Sequence, residues 1–166
     1  NAGETVVSLI HLAQHRLVLT TPYFVPDDAT LSALRIAALS GVDVQLVLPS
    51  LSDFAPVLHA GRSHYTRLLQ AGVVIHELQD AVLHAKTAVV DGVVSTVGSS
   101  NLDWRSIASN NEVNAIILGE DFGGTMERMF RQDVQASKTI ALADWQQRSL
   151  LQRTKEALAR LLDRWW

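Results

Sequence analysis

The sequence predicts an α/β/α sandwich built on a mixed β-sheet, and three observations lead to this fold class. Stretches with the periodicity of amphipathic helices alternate with short apolar runs through the first half of the chain. These runs are apolar at nearly every position, which is typical of strands that helices cover on both faces. Strand-like runs then cluster in the second half, which indicates antiparallel neighbours in the same sheet.

The first half of the chain is predicted to alternate between helix and strand. Pro22 and Pro26 close the first strand, and Asp27 or Asp28 can cap the second helix, which stops at Gly41. The elements expected in this half are helix 3–16, strand 16–24, helix 29–40, strand 42–49, helix 56–71 and strand 73–78.

The second half is predicted to be mostly strand, followed by one long helix. Asp91 and Gly92 separate two β-branched runs, which is a strong signal for a hairpin. We therefore expect strands 84–90, 93–98 and 111–118, then a helix over 121–140 whose two glycines leave its start open. Residues 1–143 form the expected domain, and residues 144–166 are a separate C-terminal helix.

This C-terminal segment differs in charge from the rest of the chain. It carries five basic and three acidic residues, a net charge of +2, whereas residues 1–143 carry −5. A helical stripe is predicted for Leu151, Leu158, Leu161, Leu162 and Trp165. Such a basic amphipathic helix can lie in a membrane interface, or it can pack on the sheet or on a partner domain. The sequence leaves both interpretations open.

Composition excludes several classes of function. The 166 residues contain no Cys, which excludes disulfides, thiol chemistry and Cys-based metal sites. The six His form no recognisable metal motif, so we expect neither a metal nor a cofactor. A net charge of −3 without a basic stripe argues against nucleic acid as a partner. The chain begins at Asn rather than Met, and we expect it to be a fragment or a processed piece.

One window of the sequence concentrates residues suited to phosphoryl transfer. His84, Lys86, Asp91, Ser99 and Asn101 follow the pattern H-x-K-x4-D-x6-G-S-x-N. Strand periodicity places His84 and Lys86 on one face, and because burying both is costly, that face meets solvent or lines a site. Imidazole can act as nucleophile or as general acid and base, and the Lys, Ser and Asn side chains can hold phosphate oxygens.

A carboxylate is also needed to orient such a His and to stabilise its protonated form. Glu112, in the next predicted strand, is the candidate for this role. Donors without a cluster of carboxylates suit phosphodiester chemistry that requires no metal.

This pattern resembles the HKD motif of the phospholipase D superfamily. The segments TPYFVPDD, RSHYTRLLQAGVVIHEL, LHAKTAVVDG, VGSSNLDWRS and NEVN are similar to the C-terminal half of bacterial cardiolipin synthases. The resemblance runs from about residue 4 to about residue 140 and implies a phospholipase D-like fold.

The resemblance also implies how the site works. In that superfamily two HKD motifs meet in one site, where one His forms a phosphohistidine and the other serves as general acid and base. This chain has one motif, so His84 is expected to be the acid and base. The partner would be a missing N-terminal HKD half or a second copy of the chain.

Further roles follow from the same matching. Lys86 and Asn101 should hold the phosphate with Ser99 beside them, and Glu112 should hydrogen-bond the second ring nitrogen of His84. Asp91 belongs to the motif but lies at the predicted turn, where a structural role is expected. Contacts on the substrate side are implied for Tyr23, Arg62, Tyr65 and Arg105, each with an open alternative in packing or in an ordinary salt bridge.

The implied reaction is phosphatidyl transfer, in which two phosphatidylglycerols give cardiolipin and glycerol. The expected location is the bacterial inner membrane, with the protein peripheral or anchored through the missing N-terminal part. One alternative is a homodimeric single-motif phosphodiesterase, either a phospholipase D or a nuclease. Another is a folded half that is inert by itself.

Overall fold

A seven-stranded mixed sheet forms the middle layer of the fold, as seen in a computed structural model that describes residues 2–103 and 111–161. The strand order is β6-β5-β4-β1-β2-β3-β7. Strands β1, β2 and β3 are parallel, and the other four run antiparallel to their neighbours. The strands are β1 (Arg16–Thr20), β2 (Asp43–Pro49), β3 (Val74–Leu78), β4 (Thr87–Val90), β5 (Val94–Gly98), β6 (Asn114–Leu118) and β7 (Ser137–Thr139).

Helices cover both faces of this sheet, which confirms the predicted fold class. Helices α1, α2 and α4 pack on one face, α5 packs on the other, and α3 and α7 lie against each other. The helices are α1 (Ala2–Leu12), α2 (Asp28–Leu39), α3 (Ala55–Ser63), α4 (Tyr65–Gln70), α5 (Glu120–Gln135), α6 (Leu142–Gln146) and α7 (Leu150–Arg160).

The alternation of side chains along β1 shows why its three central residues are all apolar. Leu17 and Leu19 enter the core that α1, α2 and α4 close. Val18, between them, faces the opposite way and packs in a second core with Met126 and Phe130 of α5. Since both faces are buried, the middle of the strand favours apolar side chains at every position.

The first helix and the first strand are shorter than predicted. Helix α1 ends at Leu12 instead of residue 16, because the N–H groups of Gln14, His15 and Arg16 bond to the Asp91 carboxylate instead of continuing the helix. Strand β1 ends at Thr20. Beyond it, Phe24 pairs with Leu102 in an isolated parallel bridge, so the predicted strand 16–24 is wrong in its second half.

Two predicted helices are also divided. The helix expected over 56–71 breaks at His64, whose N–H bonds to the carbonyl of Gly61 in a tighter turn. The helix expected over 121–140 ends at Gln135, and β7 follows it along the open edge of β3. The three residues of β7 form backbone hydrogen bonds with β3. The sequence pattern, which continues as helical through these residues, does not reveal these bonds.

The C-terminal segment contains two helices, the short α6 and the longer α7, which begins at Leu150. Residues 162–166, which include two members of the predicted stripe, lie outside the described part. Among the helices of residues 2–103 and 111–161, none has both the length and the apolar character needed to cross a bilayer.

Candidate active site

The topology brings the residues of the motif to one edge of the sheet. Strand β4 is antiparallel to β1, with Thr87 opposite Thr20, so the residues that precede β4 lie at the carboxyl ends of the parallel strands. The hairpin β4–β5 and strand β6 return to the same edge, where Gly98 pairs with Asn114. We call this the carboxyl edge. In open α/β sheets this is the edge where ligands bind.

His84 and Lys86 precede β4 instead of lying in it. The predicted strand 84–90 begins at Thr87, although the carbonyl of Lys86 still accepts the N–H of Gly98 at 3.2 Å. The Lys86 ammonium donates to the backbone carbonyl of His84 at 2.9 Å and lies 3.4 Å from its Nδ1. The structure therefore brings the two together, with His84 exposed and Lys86 half-buried.

The surroundings of Lys86 shift the pKa of its ammonium group. Desolvation lowers the pKa of the Lys86 ammonium, and the carboxylates of Glu112 and Asp103 counteract part of this effect. Two acidic residues are thus close enough to act electrostatically on the cation beside His84. One of them, Glu112, was predicted from the sequence, and the other was not.

Ser99 is fixed between β5 and β6. Its hydroxyl donates to the Glu112 carboxylate and accepts the N–H of Val113 at 3.0 Å. In the part of the chain that the structure describes, Glu112 is therefore bound to Ser99, and its predicted bond to His84 stays a prediction. Both side chains lie at the carboxyl edge.

The glycine of the motif is required by close packing. A Cβ at Gly98 would collide with the side chain and backbone of Asn114. Asn114 in turn donates to the hydroxyl of Ser100 at 2.7 Å. The Gly-Ser-Ser run can therefore lie directly against β6, which holds the motif segment at the edge.

Asn101 lies where this segment meets the loop after β1. The next residue, Leu102, is buried, and its carbonyl accepts the N–H of Val25 at 2.7 Å. Asn101 itself is half-buried. The hydrogen bond between Val25 and Leu102 holds Asn101 near the loop that carries Tyr23.

Asp103 is a residue of this site that sequence reasoning missed. Its side chain is 6% exposed, and its charge acts on both Lys86 and Tyr23. The sequence contains a signal for it, since an Asp in the SSNLD run follows the predicted phosphate-binding pattern and is costly to bury without a function or a partner.

Tyr23 lies at the carboxyl edge with a partner of its own. Its hydroxyl donates to Asp53 at 2.7 Å, and this bond, assisted by desolvation, raises the pKa of Tyr23. The same bond lowers the pKa of Asp53. The ring is half-buried, and it packs on the cluster formed by α3 and α7. Tyr23 remains a candidate for a substrate contact.

Arg62 and Tyr65 are joined to a buried carboxylate. Arg62 forms a two-pronged ion pair with Glu77, at 2.8 and 2.9 Å, and the Tyr65 hydroxyl donates to the same carboxylate at 3.2 Å. Tyr65 is 2% exposed, with its ring centre 4.9 Å from that of Trp145. These internal partners favour a structural role for both residues over the predicted substrate contact.

Asp91 lies at the opposite end of the hairpin. It follows the last residue of β4, whereas His84 precedes the first. Its carboxylate accepts the N–H groups of Gln14 and His15 at 2.9 Å and that of Arg16 at 2.7 Å. The structure thus places Asp91 away from the other motif residues. The remaining candidate, Arg105, lies outside the described residues.

A family model and curated relatives match most of this chain. The family model described as "Cardiolipin synthase, PLD-like domain" matches residues 6–134. Cardiolipin synthase 2 of Bacillus anthracis is 39% identical over 166 residues, a match that covers 98% of this chain and 32% of the relative. The chain thus spans about a third of the length of the curated relatives it matches.

Two solved structures share the fold at low sequence identity. Nuc of Salmonella typhimurium, a phospholipase D family member, superposes with a TM-score of 0.75 at 19% identity, covering 85% of this chain and 91% of Nuc. Phosphatidylserine synthase of Haemophilus influenzae gives 0.78 at 17% identity, covering 98% of this chain and 41% of the synthase. At these identities the two structures support the fold alone.

Proposed function

The chain belongs to the family of phospholipase D-like domains of cardiolipin synthases, and from this premise we propose that its carboxyl edge is one half of a phosphatidyl-transfer site. The observation that carries the proposal is the pairing of His84 with Lys86, whose ammonium lies 3.4 Å from the imidazole Nδ1. A phosphate bound over this pair would meet a cation and a proton-transfer group at once.

The roles proposed for the other residues follow from their positions. Lys86 and Asn101 hold the non-bridging phosphate oxygens, and Ser99 supports them from the end of β5. Glu112 orients His84 as the acid and base of the reaction. Together with Glu112, Asp103 places a negative charge near Lys86, which favours the protonated ammonium against desolvation.

The proposed reaction has two displacements at phosphorus. A second His, supplied from outside this chain, attacks one phosphatidylglycerol. The bond from phosphorus to the glycerol headgroup breaks, and His84 gives its proton to the departing glycerol. A hydroxyl of a second phosphatidylglycerol then loses its proton to His84, attacks phosphorus and releases the first His, which yields cardiolipin.

The second His requires a partner that meets this chain near the carboxyl edge, and an apolar surface beside that edge supports one. Strand β6 lies at the end of the sheet and begins two residues after Glu112. Val113, Ile116 and Leu118 are 78%, 54% and 74% exposed. Exposed apolar side chains on a terminal strand are a typical docking surface. We propose that the HKD half of the complete protein packs here.

The proposed setting is the bacterial inner membrane, since the substrates are phospholipids. The protein is peripheral there, or it is anchored through a part of the protein that precedes this chain. The pocket must also exclude water from the phosphohistidine, because water in place of the second phosphatidylglycerol would release phosphatidic acid.

His84→Ala in the full-length enzyme tests the assignment. We expect turnover of phosphatidylglycerol to cardiolipin to fall by at least about a thousandfold while the fold is retained. His11→Ala is the matched control, since His11 is exposed at the end of α1. Turnover that survives in the His84 variant at more than a few per cent would refute the role of His84.

The isolated chain tests where the second His comes from. We expect it to be folded and without turnover in phosphatidylglycerol micelles, because the partner half is absent. A dimer that makes cardiolipin or phosphatidic acid, and loses this activity in His84→Ala, would show instead that two copies build the site. That result would favour the single-motif phosphodiesterase.

A further inference from the structure

Helix α7 is fixed in its orientation by what lies beneath it. Ala159 is buried in a cluster with Val25, Val57 and Ala60, where α7 packs along α3. Glu156 on the same face is 2% exposed and forms an ion pair with Arg148 at 2.9 Å. Because this face is held in place, the opposite face of α7 points outward.

The outward face of α7 is made of leucines. Leu150, Leu151, Leu158 and Leu161 are 78%, 67%, 59% and 79% exposed. At about 100° per residue, the four fall within an arc of about 100° on the helix surface. We call these four residues the leucine stripe. Nothing in residues 2–103 and 111–161 covers it.

Cations border the leucine stripe on both sides. Lys155 lies beyond one side, and Arg153 and Arg160 lie beyond the other. The single acidic residue between 150 and 161 is Glu156, which is buried and neutralised by Arg148. The exposed surface of α7 therefore combines an apolar centre with a positive rim, on a chain whose net charge is negative.

This combination differs from that of the apolar surface on β6. Residues 111–121 contain three acidic residues and no basic one. An anionic surface would therefore be repelled from β6 and attracted to α7. The two exposed apolar surfaces are suited to different occupants, a protein partner on β6 and an anionic bilayer on α7.

The first turn of α7 also lies near the carboxyl edge. Gln152 lines one depression together with Leu51 and Ser50, which follow the carboxyl end of β2. Leu51 is 56% exposed, and Phe54, at the start of α3, is 42% exposed. Val82, between β3 and β4, is 75% exposed two residues before His84. Exposed apolar side chains are therefore also present in the segments that follow the carboxyl ends of β2 and β3.

We propose that the leucine stripe of α7 is the surface by which this domain docks on anionic phospholipid bilayers. The leucines enter the boundary between headgroups and acyl chains, and Arg153, Lys155 and Arg160 contact the lipid phosphates. Docking in this orientation brings the carboxyl edge down to the membrane surface, where its substrates lie. The proposal rests on the proposed function, since a lipid substrate is what makes such docking useful.

Vesicle flotation of the 166-residue chain tests this proposal. Vesicles contain phosphatidylcholine alone or an equal mixture with phosphatidylglycerol. We expect binding to the mixed vesicles that weakens with salt, and at least about tenfold weaker binding for Leu151→Ser/Leu158→Ser. Lys155→Gln should weaken binding to the mixed vesicles and leave binding to phosphatidylcholine unchanged.

A matched control is provided by α2. Ile36 and Leu39 are 57% and 67% exposed, against 59% and 67% for Leu158 and Leu151. Ile36→Ser/Leu39→Ser therefore removes a similar exposed apolar surface at a place without this role, and it should bind vesicles as the wild type does. Circular dichroism of both double variants confirms that the fold is retained.

The outcomes separate docking from catalysis. Equal vesicle binding by the stripe variant and the wild type, or equal weakening by the control, would overturn the proposal. If the stripe variant instead lost binding to the partner half, the leucine stripe would be a protein interface. Transfer on short-chain, monomeric phosphatidylglycerol that persists in the full-length stripe variant would show that the function stands even where docking fails. Vesicle binding by a full-length enzyme that makes no cardiolipin would show that the docking proposal stands even where the proposed function fails.

Discussion

Replacing Asp91 by Ala tests whether this residue of the motif acts on stability rather than on chemistry. Its carboxylate accepts three backbone N–H groups from the segment between α1 and β1, which lies 75–77 residues away in sequence. Asp91 also has a φ of 51°, a conformation that Asp tolerates better than Ala. The variant therefore loses both the hydrogen bonds and the conformational tolerance.

The two losses can be estimated separately. Hydrogen bonds to a charged group contribute about 1.5–3 kcal/mol each, but Gln14 and His15 are exposed and water replaces much of that interaction. We therefore assign about 2 kcal/mol to the three bonds together, and about 1 kcal/mol to the positive φ. The free energy of unfolding should fall by about 3 kcal/mol in total.

Asp80 provides the matched control. Its φ is 54°, and the structure gives its carboxylate no hydrogen bond or ion pair within the described residues. Asp80→Ala should therefore cost only the conformational part, about 1 kcal/mol. The two variants should differ in melting temperature by about 4–8 °C, measured by thermal or urea unfolding.

The pH dependence gives an independent check. Partial burial raises the pKa of Asp91, but the three N–H donors outweigh this effect, and the pKa lies below its usual value. The stabilisation is therefore present above the unfolded pKa of about 3.9 and is lost as the pH falls through the lower folded value. Equal stability of the Asp91→Ala and Asp80→Ala variants, or a difference between them that does not shrink as the pH falls below about 3.9, would refute the reasoning. In the full-length enzyme, turnover of phosphatidylglycerol per folded molecule should be the same for Asp91→Ala as for the wild type.

Two further predictions concern groups in the interior. Glu77→Ala leaves the Arg62 guanidinium buried without its partner and the Tyr65 hydroxyl without its acceptor. The free energy of unfolding, measured with urea, should fall by about 3–5 kcal/mol. A fall below about 1 kcal/mol would indicate that Arg62 is available to contact the substrate. Desolvation, together with Arg160 and Arg67, lowers the pKa of His64 to about 4. Stability should therefore decline as the pH falls from about 6.5 to 4, because the unfolded chain binds a proton there that the folded chain does not, and a variant with His64→Asn should show a flatter profile in that range.

The sequence determined those features that depend on local pattern. Runs apolar at every position specified strands buried on both faces, and β1 shows this directly, with Leu17 and Leu19 on one side and Val18 on the other. The Asp91-Gly92 pair specified the hairpin. The spacing of His84 and Lys86 specified their proximity, which holds even though the strand begins after them. Each of these depends on residues within a few positions of one another.

Only the tertiary structure decided which partner each polar side chain has. Glu112 was expected to bond to His84, and the described contact is with Ser99, because the register of β5 and β6 places Ser99 opposite Val113, the neighbour of Glu112. Arg62 was a candidate for a substrate contact, with packing as the open alternative, and β3 presents a buried Glu77 to it.

Contacts between residues distant in sequence also decided that residues 137–139 form β7 and which face of α7 is buried. A short strand or a packed helix face is stabilised by bonds and contacts across the fold, and spacing along the chain records none of them. The sequence therefore specified the candidate residues, and the folded chain decided which of them lie together at the carboxyl edge.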